Sequence, residues 1–327
     1  MGQKVISDKS GKQSLKITQT VEISSQLQQT HPKLHYFKQA TSDNTRRAYQ
    51  SDIRAFIAWG GVLPSTTQQI LTYLEHQAAR LNPRTLFRRL TALKQWHHYQ
   101  GLIDPTDHPL VKKTRRGIAR VHGTPKAQAP ALTWDQLHQW VSYLNQHLTL
   151  ANLRNKALLL VGFLGAFRAS ELVAITVADV RWEKAGIRIQ LPQSKTDPTH
   201  EGQSVAIPYH NGLCAVTALK NWLEESGITQ GKIFRGILKS GKIKETALRA
   251  NSLNPLLKHL AIEAGMSNAA DVSSHSLRRG LATEASRRGA SVKSIMTQGR
   301  WKDTRTVLSY IQEGQAFEDN VVNILAL

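Results

Sequence analysis

Chemistry concentrates between His275 and Tyr310, where the chain reads HSLRRGLATEASRRGASVKSIMTQGRWKDTRTVLSY. His275 supplies an imidazole that can move protons, Arg278 and Arg279 supply planar forks of permanent positive charge, and Trp301 supplies an indole N–H that can only donate. Tyr310 adds a hydroxyl with a reference pKa of about 10. Together these groups could hold one small target and transfer protons at it. His275 and Arg278 stand three residues apart, which puts both on one helical face, and Arg279, at four apart, fits that angle almost as well. Spacing alone does not choose between the two arginines.

The elements that must position these groups can be read locally. Ser273 and Ser274 suit the cap of a helix whose apolar stripe is Leu277, Leu281 and Ala285, with Gly289 placed to end it. Ser291 caps a second short helix closed by Gly299, and Asp303 or Thr304 caps a third that carries Tyr310. Trp301 therefore falls in the turn between them. On one continuous helix, nine residues would set Trp301 and Tyr310 on opposite sides, and the turn removes that obstacle. The segments SVKSIMTQ, GRWKD and TRTVLSYI also read as a helix-turn-helix, so a DNA-binding regulator without catalysis is the alternative.

HSLRRG, then GRW, then a tyrosine nine residues beyond the tryptophan, resembles the tyrosine recombinase (phage integrase) family. Most members carry a histidine where this chain has Trp301, and the tryptophan makes it most similar to the Cre-like branch. FRASEL supplies Arg168 and Glu171, matching the family's first arginine motif, and QSKTDP supplies Lys195 where the family carries its catalytic lysine. The match is specific from Thr133 to Tyr310 and only general in the N-terminal half.

The resemblance selects Arg278 over Arg279 and implies a role for each group. Tyr310 attacks a DNA phosphodiester and displaces a 5′-hydroxyl, while Arg168 and Arg278 neutralise the charge that builds on the non-bridging oxygens. His275 accepts the tyrosine proton or binds a phosphate oxygen, and Lys195 protonates the departing 5′ oxygen. Trp301 donates to a phosphate oxygen and packs the site, and Glu171 orients its neighbours. The phosphotyrosyl bond conserves the phosphodiester's energy, so another 5′-hydroxyl can reverse the step without metal, nucleotide or other cofactor. The implied protein is a site-specific recombinase that works through a 3′-phosphotyrosyl intermediate and a Holliday junction. Its partners would be double-stranded DNA with paired half-sites and further copies of itself, a dimer on one site and a tetramer in synapsis. A catalytically inactive homologue would bind DNA in the same way, whereas a helix-turn-helix regulator would have no need of the remote Arg168 and Lys195.

Bulk composition agrees. The formal charge of +20 and a pI of about 10.2 imply a polyanionic partner, and nucleic acid suits the dispersed Arg and Lys. The longest apolar run, Ala157 to Phe167, is short of the roughly 20 residues that span a bilayer and reads as a buried core helix. No apolar secretory segment opens the chain, and the lone Cys214 permits no intrachain disulfide, which favours a cytoplasmic, nucleoid-associated home. Inside AVTALKNWL it should pack as a small hydrophobe.

A length of 327 residues suits two domains. Residues 1–30 read as a mobile tail, 31–122 as a helical core-binding domain, 123–132 as a linker, 133–314 as the catalytic domain and 315–327 as an oligomerisation segment. The expected class is mainly α, with a small antiparallel sheet in the C-terminal domain.

In the N-terminal half, SDNTRRAYQSDIRAFIAW starts a helix near Ser42 with an apolar set at Tyr49, Ile53, Phe56 and Ile57, and a second holds Ile70, Leu71 and Leu74. A third runs from Pro83 to about Tyr99, with Leu86, Leu90 and Leu93 on one stripe. Its other stripe, Arg84, Arg88, Thr91 and Gln95, can contact phosphates and base edges. The basic segment KKTRRGIAR adds Lys112, Lys113, Arg115 and Arg116.

The Pro/Ala-rich linker could span about 30 Å, close to the ~34 Å of one duplex turn. Further on, Thr133 and Gln136 form a capping-box pattern. Ile187, Ile189 and Leu191 alternate, as do Val205 and Ile207, which predicts a β-hairpin with Lys195 in its turn. After Tyr310, Phe317, Val321, Ile324 and Leu325 recur near helical spacing, and the resemblance implies that this tail docks on a neighbouring subunit.

Overall fold

The computed structural model describes residues 40–125, 128–191, 202–314 and 321–325. The chain divides into two compact units, Met1–Lys126 and Ala127–Leu327.

In the first unit, α1 spans Asp43–Trp59 and is capped by Ser42, whose hydroxyl accepts from the Thr45 amide. Helix α2 (Thr67–Ala78) follows a Thr66 cap, and α3 (Pro83–Tyr99) follows an Asn82 cap, with Pro83 in the first turn, where its missing N–H costs nothing. A 3-10 turn at Pro105–Asp107 leads into α4 (Pro109–His122), which carries the basic segment. Phe56, Ile70, Tyr73, Leu74, Leu86, Leu90, Leu93, Val111 and Ile118 form the core. Burying each large apolar side chain stabilises by about 1.5–3 kcal/mol.

The expected apolar set on α1 is only partly the buried one. Tyr49, Ile53 and Ile57 are half-buried, and the positions enclosed on that helix are Phe56 and Asp52. A carboxylate takes a core position there because α3 brings an arginine to it.

The second unit opens with α5 (Trp134–Gln146), where Thr133 and Gln136 make the reciprocal capping box. Helix α6 (Leu150–Leu164) holds most of the apolar run, with Ala157, Leu158, Leu159, Leu160 and Val161 all fully buried. After the short α7 (Ala169–Ala174) come β1 (Val180–Glu183), β2 (Gly186–Leu191) and β3 (Gln203–Pro208), antiparallel in that order. The predicted alternation is the observed register: Ile187 faces Ile207 and Ile189 faces Val205, all buried.

The sequence reading missed β1, which buries only Val180 of its four residues, and the hairpin β4 (Arg235–Ile237) and β5 (Ile243–Ala247), which buries none. The rest of this unit is helical: α8 (Ala215–Ser226), α9 (Ala250–Glu263), α10 (Ser274–Arg287), α11 (Val292–Gly299), α12 (Thr304–Gly314) and α13 (Val321–Leu325). Cys214 is buried at the start of α8. Among the described residues, no helix is long and apolar enough to cross a membrane.

Two cores matter for the site. The larger joins α5, α6, α8 and α9 to the inner face of the sheet. A smaller one, made by Ala282, Ile295 and Val307, also receives Trp301, Tyr310 and Ile311, so the nucleophile candidate is held by packing. Helix α10 lies so close to its neighbours that a Cβ on Gly280 would come 2.2 Å from the Leu132 carbonyl oxygen and 2.7 Å from the Phe163 ring. That contact explains a glycine inside a helix, where it otherwise costs about 1 kcal/mol.

Candidate active site

Helix α10 carries the first of the predicted groups. Ser273 caps it, accepting from the His275 amide at 3.2 Å, and the Ser276 hydroxyl accepts in return from the Ser273 amide at 3.1 Å. His275 is exposed in the first turn and Arg278 lies buried one turn on. The predicted apolar stripe understates the burial: Leu277 is enclosed, Leu281 and Ala285 are half-buried, and Ser276, Arg278, Arg279, Thr283, Glu284 and Ser286 are buried as well. This helix is enclosed on several faces: Arg278 and Arg279 each donate to a carbonyl distant in sequence, and Glu284 pairs with Arg287 and Arg288 one turn on.

Arg278 lies over Trp301, with its guanidinium carbon 4.2 Å from the ring centroid. Trp301 meets Tyr310 edge-on, centroids 6.0 Å apart at 65°. Arg279 approaches the Tyr310 ring at 5.4 Å, and its Nη1 donates to the Ala129 carbonyl at 2.8 Å. The two arginines therefore diverge. One lies against the tryptophan, and the other holds the incoming chain and flanks the tyrosine.

The turn that brings Trp301 here differs in detail from expectation. Gly299 is the last residue of α11, but the left-handed residue that closes it is Arg300, at φ 56°. Gly299 is required for another reason, since a Cβ there would come 1.7 Å from the Trp301 ring folded back over it. Asp303 is the cap that starts α12, accepting from the Arg305 amide at 3.1 Å.

Arg168 enters from α7, where it precedes the first turn. Its amide donates to Glu171 Oε2 at 3.0 Å, and its guanidinium pairs with Oε1. Arg300 donates to the same Glu171 Oε2 at 2.9 Å, to the Gly165 carbonyl at 3.1 Å and to the Ala166 carbonyl at 3.3 Å, and it stacks on Phe167 at 4.9 Å. Arg278 Nη1 donates to that same Ala166 carbonyl. Ala166 has φ 46°, an uncommon conformation for a residue with a side chain, and the two guanidinium groups hold its carbonyl in place.

The electrostatics follow from this crowding. Burial, reinforced by Arg168 and Arg300, pushes the Arg278 guanidinium down to about 9, so it remains charged at neutral pH. Arg300 is lowered chiefly by burial, against the pull of Glu171. Burial would raise the Glu171 carboxyl, but the Arg168 amide and guanidinium, together with Arg300, outweigh it and hold the group below its ordinary range. Three guanidinium groups around one carboxylate leave a net positive site. Arg278 Nη2 is buried without a hydrogen-bond partner among the described residues, one donor able to meet a ligand oxygen.

The structure thus brings together Arg168, Glu171, Arg278, Trp301 and Tyr310, with His275 one turn from Arg278. Lys195 lies outside the described residues. Arg300 was missed by sequence reasoning, although it sits inside the GRW motif. An arginine in a turn ordinarily points to solvent, and no local signal marks a carboxylate 129 residues away.

The predicted nucleic-acid stripe on α3 is surface but not free. Arg84 is exposed and donates to the Thr124 carbonyl at 3.2 Å, Thr91 donates to the Phe87 carbonyl at 3.0 Å, and Gln95 is half-buried. Arg88 is bound through two hydrogen bonds to Asp52. On α4, Lys112 pairs with Asp107 at 2.8 Å, Lys113 and Arg116 are exposed, and Arg115 stacks on Phe87 at 4.8 Å.

Residues 130–316 match the phage integrase family. The chain is 33% identical over 296 residues to an integrase/recombinase xerD homologue of Selenomonas ruminantium, covering 88% of this chain and 86% of that protein. It is 24% identical to the Cre recombinase of Escherichia phage P1, covering 88% and 89%. The fold is similar to that of the Tn1549 transposon integrase solved with circular intermediate DNA, at a TM-score of 0.61 and 14% identity, over 85% of this chain and 92% of that one. The chain belongs to the phage integrase family and is a tyrosine recombinase.

Proposed function

We propose that Tyr310 attacks a phosphodiester of duplex DNA to give a 3′-phosphotyrosyl bond and a free 5′-hydroxyl, and that a 5′-hydroxyl from a second duplex reverses the step through a Holliday junction. The observation that carries this reading is the contact series Arg278, Trp301 and Tyr310, beside the Arg168–Glu171–Arg300 cluster. The tyrosine hydroxyl would lose its proton as oxygen bonds to phosphorus, with His275 as acceptor or as phosphate ligand. Arg168 and Arg278 would meet the charge that develops on the non-bridging oxygens, and each such donor is worth about 3–4 kcal/mol in the transition state. Lys195 would protonate the leaving 5′ oxygen. Trp301 can only donate, so its role is to bind phosphate and to seat Arg278.

The α1–α4 unit would be the core-binding domain, with residues 1–30 as a tail. It would contact DNA through Arg84, Arg88, Thr91 and Gln95 and through Lys112, Lys113, Arg115 and Arg116. The linker at 123–132 would let the two units hold a duplex, and residues 133–314 would form the catalytic domain. Val321, Val322 and Leu325 on α13 are 67%, 60% and 77% exposed. That apolar surface suits docking of residues 315–327 on a second copy, giving a dimer on one site and a tetramer in synapsis, in the cytoplasm, where the DNA is. Trp301 is the residue that favours a Cre-like branch.

A nicked duplex whose cleaved 5′ fragment diffuses away would trap the intermediate. The expected product is a protein–DNA adduct that survives denaturant and carries the 3′ phosphate on the Tyr310 peptide. An adduct on another residue, or none across a randomised substrate pool, would overturn the reading.

A further inference from the structure

Asp52 is an unusual core residue: a carboxylate 3% exposed, on the inner face of α1. Its oxygens accept from Arg88 Nε and Nη2, each at 2.9 Å, and Arg89 Nε lies 3.9 Å away. Arg89 also donates to the Tyr73 hydroxyl at 2.8 Å, so it is turned inward, whereas the Arg88 side chain is 52% exposed. Here the acid is internal and the cation faces out.

The geometry of the pair decides what Arg88 can still do. Asp52 occupies the Nε edge of the guanidinium, which fixes the plane and leaves the end-on fork, the Nη1 hydrogens and the outer Nη2 hydrogen, directed away from the carboxylate. Two parallel donors on a fixed plane match two adjacent acceptors. Among base edges in the major groove, guanine presents that pair as O6 and N7, whereas adenine sets a donor beside its N7. A phosphate can also accept such a fork, but a contact to it carries no base preference, and that difference separates the two in a selection experiment. Arg88 also lies on the exposed stripe of α3 with Arg84 and Thr91, and an α-helix fits the major groove.

We propose that Arg88 reads a guanine in the DNA half-site by end-on bidentate hydrogen bonding, and that Asp52 is the positioning residue that fixes its plane. The proposal rests on the reading of the N-terminal unit as DNA-bound and adds to it a base identity and a mechanism of selection.

The test is in vitro selection from a randomised duplex pool with the full chain, comparing wild type with Arg88→Lys, Arg88→Gln and Asp52→Asn. Arg88→Lys keeps a cation beside the buried carboxylate, so it reports on base reading without removing the ion pair. The wild-type consensus should contain one invariant guanine per half-site. In both Arg88 variants its preference should fall by about 5- to 150-fold, the range for one bidentate contact, with the other positions unchanged. Asp52→Asn should relax the same position, and if that variant fails to fold the two Arg88 variants decide alone. An unchanged consensus, no consensus, or a uniform weakening in which the salt slope drops by about one phosphate contact would overturn the guanine assignment. Wild-type adduct formation on the selected DNA separates the two levels. Adduct with unchanged base preference rejects only the role of Arg88, and no adduct on any DNA rejects the recombinase reading itself.

Discussion

The Arg278 guanidinium rests 4.2 Å from the centre of the Trp301 ring. Such a contact is worth about 0.5–2 kcal/mol and fixes the plane of the fork. Trp301→Ala should therefore slow DNA cleavage by about 2- to 30-fold, the rate equivalent of that contact, less than the 10²–10³ expected for removing an oxyanion donor outright. Trp301→Phe keeps one aromatic ring near Arg278 but removes the indole N–H and the second ring, so its cleavage rate should fall while it melts closer to the wild type than Trp301→Ala does. Single-turnover cleavage and thermal melting check both, and a Trp301→Ala enzyme at wild-type rate would contradict the role.

Arg300 and Glu171 form a buried pair whose members also hold Arg168 and the Ala166 carbonyl. Removing Arg300 leaves Glu171 to Arg168 alone and takes a donor from the Gly165 carbonyl, so Arg300→Met should cost about 1–3 kcal/mol in urea unfolding and should slow cleavage as well. Arg300→Lys, which keeps the charge but not the planar fork, should recover part of the stability and less of the rate. Equal recovery of both would mean that Arg300 only supports the fold.

Glu171 also sets an acid limit. Its folded-state pKa lies below the ordinary value of 4.5, so the stability it contributes is fully present above about pH 4.5 and is lost as pH falls through the lower folded value. Unfolding free energies from about pH 3 to about pH 7 should show a steeper acid loss in the wild type than in Glu171→Gln. Parallel curves would remove Glu171 from the account.

The residues of the site differ in how openly the sequence displays them. The caps at Ser42, Thr133, Ser273 and Ser291 were legible because each is a short-range hydrogen bond. So were the β2–β3 alternation, the buried α6 and the Pro83 start of α3. The wall of the site was not. Arg300 and Asp52 look like solvated charges locally, and only tertiary contact with Glu171 and Arg88 makes them interior. Strand β1 and the β4–β5 hairpin bury too little to leave a period-2 signal. Lys195, expected in the β2–β3 turn, falls outside the described residues. Positive φ at Ala166 and Arg300, where glycine is usual, could not be read from residue type.

The exposed α13 bears on assembly. Truncation after Gly314 removes Val321, Val322 and Leu325, and should leave single-site DNA binding largely intact while synapsis weakens, as read by mobility shift and by paired-end complex formation. Normal synapsis by the truncated chain would place assembly elsewhere. Binding itself should weaken steeply with salt, since each phosphate contact releases counterions.

The most direct test compares wild type with Tyr310→Phe on the nicked trapping duplex. The substitution removes one oxygen and keeps the ring that Trp301 meets at 6.0 Å, so the fold and DNA binding should survive. A denaturant-resistant adduct is expected with the wild type and none with Tyr310→Phe. An equal yield of adduct from both would contradict the role of Tyr310.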